Sequence, residues 1–176
     1  MGPLSNPLFH FIDLMEKLRI PHALVGGMAV TLLARERFTR DVDFTVILSE
    51  SQANRLSDIF KKDPAYRVDQ ISFVSSKRIP DLLRIIWKGT AVDLMVANTD
   101  FQKILVKRAR KLDCEGRLIR VASFEDMIIL KLLADRPRDR EDIQALLSSH
   151  KDLDGRYIKK WAKVWEIEER LKNLKI

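Results

Sequence analysis

Asp41 and Asp43 flank a single valine and lie fourteen residues beyond a glycine pair, Gly26-Gly27. The run reads LVGGMAVTLLARERFTRDVDFTVIL. Carboxylates two positions apart in a strand project to the same side, because side chains alternate along an extended chain. Such a pair offers hard oxygen donors to one or two divalent cations. Magnesium in particular favours one or two carboxylates completed by substrate phosphates. Glycines, lacking Cβ, let backbone N–H groups come close to a phosphate, and a helix that starts there adds the positive end of its dipole. The combination describes a site for a metal-bridged phosphate.

The elements that must hold these residues can be read around them. A buried strand, His22–Val25, enters the glycine turn, a short helix covers residues 28–37, and a strand over residues 42–48 opens with the carboxylates. Val42 and Phe44 then pack on the face opposite Asp41 and Asp43. Upstream, Asn6-Pro7 starts a helix with Leu8, Phe11, Ile12, Met15 and Leu18 on one stripe, ended by Pro21. Downstream, Ser49 and Gln52 form a capping box for a helix to about Lys62, and Asp63-Pro64 breaks it. A strand follows over residues 70–74, then a hairpin of Leu82–Trp87 and residues 91–96 about Lys88-Gly89-Thr90. In its second strand Val92, Leu94 and Val96 share one face, which leaves Asp93 and Met95 on the other.

Residues 99–111 read as a helix, Arg117–Val121 as a short strand, and Ser123 with Asp126 as a second capping box opening a helix through Ala134. After a break at Arg136-Pro137 come a helix over 139–148 and one long amphipathic helix over 154–174. The expected fold is α/β (α+β): a small mixed sheet flanked by helices, residues 1–121, with a C-terminal helical segment, 122–176, completing the cleft in one compact unit.

Composition narrows the class. With 46% apolar and 32% charged residues among 176, the chain is globular. A single cysteine, Cys114, allows no internal disulfide and suits a reducing cytoplasm. The start, MGPLSNPLFHF, reads as no signal peptide, and no apolar run is long enough for a membrane span. A net charge of +7 suits a polyanionic partner such as RNA. Seven basic residues between 103 and 120 read either as a solvated face or as a phosphate-backbone contact.

The pattern apolar–Gly–Gly, short helix, Asp41-Val42-Asp43-Phe44 resembles the signature of the polymerase-β-type nucleotidyltransferases. That resemblance implies a third carboxylate on a later strand, for which Asp93 in AVDLMV is the candidate, and Arg40 matches the basic residue before the dyad. The segment VASFEDMIILKLLADRPRDREDIQAL is similar to the AbiEii-like branch found in toxin–antitoxin pairs. By position Lys131 would be the lysine on the nucleotide phosphates, and Asp142 would support that lysine or the nucleotide. On the residues alone, a lysine set among apolar neighbours must snorkel, pair or face a ligand.

The resemblance therefore implies transfer of a nucleoside monophosphate from an NTP to a hydroxyl acceptor, with pyrophosphate released. Asp41, Asp43 and Asp93 would hold Mg²⁺ or Mn²⁺; Gly26, Gly27, Arg40, Lys131 and Asp142 would bind the nucleotide. Asp41, Asp43, Asp93 and Lys131 make up the catalytic set. The acceptor class favoured by charge is RNA, such as a tRNA 3′ end, with protein side chains and small hydroxylated antibiotics open. An antitoxin protein is the partner the branch implies. A second class is a non-catalytic nucleotide- or partner-binding module of the same fold. Asp41 to Thr45 also matches the Asp-x-Asp box of haloacid-dehalogenase-type phosphatases, but that box needs an apolar strand before it, and here the polar stretch 35–40 precedes. His10, His22 and His150 lack metal-ligand spacing, and Cys114 has no partner histidine. Trp161 and Trp165 sit at helical spacing suited to core packing or to docking a helix.

Overall fold

The computed structural model of the chain describes residues 4–72, 81–172 and 174. Among the described residues seven strands form one mixed sheet: β1 (His22–Val25), β2 (Asp41–Val46), β3 (Tyr66–Ser72), β4 (Leu82–Trp87), β5 (Thr90–Val96), β6 (Arg110–Cys114) and β7 (Arg117–Val121), in the order β3-β4-β5-β2-β1-β7-β6. Strands β2 and β5 run parallel, as do β1 and β7; the other neighbours are antiparallel. The centre of the sheet is β5-β2-β1, where Leu24, Phe44 and Leu94 are fully buried.

Seven α-helices among the described residues accompany it: α1 (Ser5–Lys17), α2 (Gly26–Leu33), α3 (Glu50–Lys62), α4 (Asp100–Arg108), α5 (Phe124–Ala134), α6 (Pro137–Ser149) and α7 (Gly155–Val164). Helix α2, apolar on nearly every side, packs on β1 and β2 and against α5 and α6. Among the described residues no helix is long and apolar enough to cross a membrane. The capping boxes of α3 (Ser49 with Gln52) and α4 (Thr99 with Gln102) satisfy the orphan amides of both helix starts. At α5, the Ser123 hydroxyl accepts from the Asp126 N–H and donates to the Asp126 carboxylate.

Four elements differ from their sequence expectation. Helix α2 starts two residues earlier and stops at Leu33, leaving residues 34–40 irregular. The helix expected over 99–111 ends at Arg108, and Arg110–Cys114 is an edge strand, β6. The cause is a tight two-residue turn: Glu115 and Gly116 both take positive φ, the geometry that joins antiparallel strands. The long helix expected over 154–174 breaks after Val164, where Glu166 turns left-handed, and resumes as a 3₁₀ turn over Glu168–Leu171. Strand β3 lies upstream of the expected 70–74, whose last two residues fall outside the described set.

The basic stretch 103–120 is partly structural. Arg108 pairs with Glu125 and Asp126 and stacks on Tyr157; Arg117 pairs with Asp13; Arg120 donates to the carbonyls of Val106 and His22. His10 stacks on Trp87, His150 stacks on Phe124, and His22 bonds the Ile20 carbonyl. Cys114 is buried at the end of β6, and Trp161 packs edge-on to Phe101.

Candidate active site

The antiparallel pairing of β1 with β2 sets Val25 opposite Asp43, so the turn at Gly26 lands beside the carboxylate of Asp43. Gly26 takes φ +68°, which is open to glycine at little cost. A Cβ there would lie 1.9 Å from Asp43 Oδ2. The Gly27 N–H donates to Asp43, at the first turn of α2. The parallel pairing of β2 with β5 sets Asp93 level with Asp43. Asp41, Asp43 and Asp93 thus stand on one face of two adjacent central strands.

The carboxylates differ in their partners. Asp41 Oδ1 accepts from Thr39 Oγ1 at 2.8 Å. Asp93 is gripped by Arg84 from β4, its cross-strand neighbour: Nε donates to Oδ1 at 2.7 Å and Nη2 to Oδ2 at 2.5 Å. Burial, with Asp41 and then Asp93 nearby, pushes the Asp43 carboxyl up to about 7, against the pull of Lys131 and the Gly27 N–H.

Lys131 comes from α5 and faces this group across the cleft. It is 5% exposed, and its Nζ lies 2.9 Å from Asp139 Oδ1 and 2.9 Å from Asp142 Oδ2, both on α6. Asp139 also accepts from Arg136, and its carboxyl is held down at about 2 by Arg136 and Lys131, which overcome the opposing effect of burial. Asp142 is fully buried and lines no part of the cleft; it pairs with Lys131, Arg35 and Arg37. Its geometry supports the lysine and leaves it no contact surface for a nucleotide.

The cleft itself measures about 790 Å³. Gly26, Gly27, Arg40, Asp41, Asp43, Asp93 and Lys131 all line it. So do Arg37, Phe38, Thr39, Arg84, Arg136, Arg138 and Asp139, which sequence reasoning had left out or read as structural. Arg37, Phe38 and Thr39 lie in the irregular segment after α2, where no periodicity signals a role. Arg37 reaches Asp142, and the Thr39 side chain packs where a Cβ on Gly27 would fall. Arg84 could have been found only from the strand register. None of the seven basic residues between 103 and 120 reaches the cleft.

Asp41 and Asp43 fit a hard divalent cation: their donors are oxygens on one strand face, and burial, then the neighbouring Asp41 and Asp93, disfavour a bare charge on Asp43 that a cation would offset. Among the described residues no three acidic, histidine or cysteine groups are arranged to hold a metal ion by themselves.

A model of the family described as "Nucleotidyltransferase of unknown function (DUF6036)" matches residues 8–172. The chain belongs to that family. No curated protein matches it. Among solved structures, this DUF6036 nucleotidyltransferase resembles the lincosamide antibiotic adenylyltransferase LnuA, at 19% identity and TM-score 0.59 over 83% of this chain and 98% of that one. It also resembles the antibiotic-resistance factor ANT(2'')-Ia, at 13% identity and TM-score 0.63 over 96% and 95%. An antigenic nucleotidyltransferase-like protein from Paracoccidioides brasiliensis follows at 20% identity and TM-score 0.55 over 96% and 89%. At these identities the likeness is one of fold, and it agrees with the mixed sheet and helices described above.

Proposed function

We propose that the protein is an active, metal-dependent nucleotidyltransferase that moves a nucleoside monophosphate from an NTP to a hydroxyl of RNA, releasing pyrophosphate. The observation that carries this is the meeting of Asp41 and Asp43 with the Gly26-Gly27 turn on one side of the cleft and Lys131 on the other. A volume of about 790 Å³ accommodates a nucleoside triphosphate with room for the end of an acceptor.

The roles follow from the chemistry of each group. Asp41 and Asp43 hold Mg²⁺, which would supply charge stabilisation at the triphosphate. The Gly26-Gly27 turn lets the phosphates come close to the backbone at the α2 N-terminus. Lys131, fixed between Asp139 and Asp142, keeps a cation aimed at the phosphates without reorganisation, and Arg37, fixed by the same Asp142, flanks it. Positioning and preorganised charge supply most of the rate in such transfers.

RNA is the acceptor favoured by the rim. Arg40, Arg136 and Arg138 are exposed at the cleft, and Phe38, 75% exposed, carries the Arg40 guanidinium 5.6 Å from its ring centre. An exposed ring among arginines suits a splayed base and its phosphate. A cationic acceptor, by contrast, would meet like charge. The similarity of α5 and α6 to the AbiEii-like branch adds to the case for RNA, for a cytoplasmic setting and for an antitoxin partner.

The test is incubation with each α-³²P-labelled NTP, Mg²⁺ and total cellular RNA, comparing wild type with the Asp41→Asn/Asp43→Asn double variant. Label entering RNA with wild type alone is the expected result. Label entering protein or small-molecule acceptors with release of pyrophosphate, and none entering RNA, removes the RNA assignment. Nucleotide binding with no pyrophosphate release under any of these conditions leaves a binding module.

A further inference from the structure

Asp93 stands beside Asp43 in the sheet register, where a third carboxylate could join the other two around a pair of ions. In this chain each of its oxygens already accepts a bond from one guanidinium. Arg84 faces Asp93 directly across the β4–β5 pairing, and its guanidinium meets the carboxylate as a two-pronged fork at 2.7 and 2.5 Å. The backbone register places the pair, so no long flexible reach is involved. Planar, bidentate pairing is the strong form of this interaction.

We propose that Arg84 fills the second cation position of this site, so that the protein takes a single divalent ion, at Asp41 and Asp43. This rests on the transferase reading given above.

Charge and geometry both support it. Arg84 cancels the charge of Asp93, and the Asp41–Asp43 pair that remains matches one doubly charged ion. A second ion at Asp93 would have to share a carboxylate that is only 8% exposed with the guanidinium already bound to it, or displace that guanidinium, and in either case would meet like charge at close range. Two other cleft cations, Lys131 and Arg136, are committed to Asp139. The consequence is functional. With a guanidinium N–H on each oxygen, Asp93 orients Arg84 and is a weaker base toward an acceptor hydroxyl.

The test counts ions. Equilibrium dialysis with Mn²⁺ and each of the four α,β-methylene nucleoside triphosphates gives the ratio of bound manganese to bound nucleotide. Wild type is expected to hold one ion per nucleotide, and Asp93→Asn also one. Arg84→Lys, which keeps a positive charge, is expected to stay at one. Arg84→Gln is expected to rise to two, with the exchange-coupled spin resonance signal of manganese ions about 4 Å apart. Two ions in wild type overturn the proposal, and this reading needs no variant to fold. A ratio of one in folded Arg84→Gln also overturns it, since the guanidinium would not be what excludes the second ion. Absence of nucleotide binding, or binding indifferent to Mn²⁺, sinks the transferase reading and this proposal with it.

Discussion

Gly26 and Asp43 share one corner of the cleft: the space that a Cβ on residue 26 would fill is occupied by the Asp43 carboxylate, 1.9 Å away. The positive φ of Gly26 adds backbone strain to that overlap for any other residue. Gly26→Ala is therefore expected to lower stability by roughly 2–4 kcal/mol and to swing Asp43 out of the site. Chemical denaturation checks the first part, and Mn²⁺ affinity the second. A variant with unchanged midpoint and unchanged affinity would contradict the packing described.

Asp43 also sets a pH dependence. Its folded value of about 7 lies above the ordinary 3.8, so the native state holds this proton more tightly than the unfolded chain. Stability of the metal-free protein is then highest below about pH 4 as far as this group is concerned, and falls as pH rises through about 7. The span is on the order of a few kcal/mol, reduced by partial contact with water. Asp43→Asn should flatten this slope, keep its melting temperature at pH 8, and abolish transfer. Urea midpoints of the two proteins at pH 5 and pH 8, in chelator, give the comparison; parallel slopes would refute it.

Asp142 holds Lys131 and Arg37 while itself fully buried. Asp142→Ala strips Arg37 of its carboxylate and leaves Lys131 with Asp139 alone, and breaking such a buried pairing costs about 3–5 kcal/mol. For a chain of this size that corresponds to roughly 10 °C in melting temperature. The loss should far exceed that of Asp43→Asn at the same pH. Equal losses would mean that the α5–α6 ion cluster contributes little to the fold.

Phe38 is different because its ring holds nothing together. At 75% exposure, Phe38→Ala should change stability by less than about 0.5 kcal/mol. It should weaken binding of single-stranded RNA several-fold, with Phe38→Trp restoring it, while nucleotide affinity stays the same. Fluorescence anisotropy of a labelled oligonucleotide reads this directly. Unchanged RNA affinity in the alanine variant would move the acceptor platform elsewhere.

Much of the site was legible because local rules govern it. Gly26-Gly27 and Asp41-Val42-Asp43 announce themselves as candidates by residue type and by the two-residue period of a strand, whereas Asp93 is singled out only by the resemblance to the polymerase-β-type nucleotidyltransferases, which implies a third carboxylate. The α3 capping box and the ends of α5 followed from short-range hydrogen bonding. Strand β6 was missed because Lys107, Arg108 and Lys111 favour a helix, whereas the left-handed pair Glu115-Gly116 folds the segment back on β7. The break of α7 at Glu166 likewise overrides a continuous apolar stripe.

What the sequence by itself determined is which groups exist and which of them share a strand face or a turn: the carboxylate pair, the glycine turn and one lysine embedded in an apolar helix. Only the tertiary structure decided who meets whom. That Arg84 closes on Asp93, that Asp142 sits beneath both Lys131 and Arg37, and that Phe38 stands at the open rim all depend on strand register and helix packing across long stretches of chain. Ion pairs and exposure are properties of distances between elements, and no local periodicity encodes those distances.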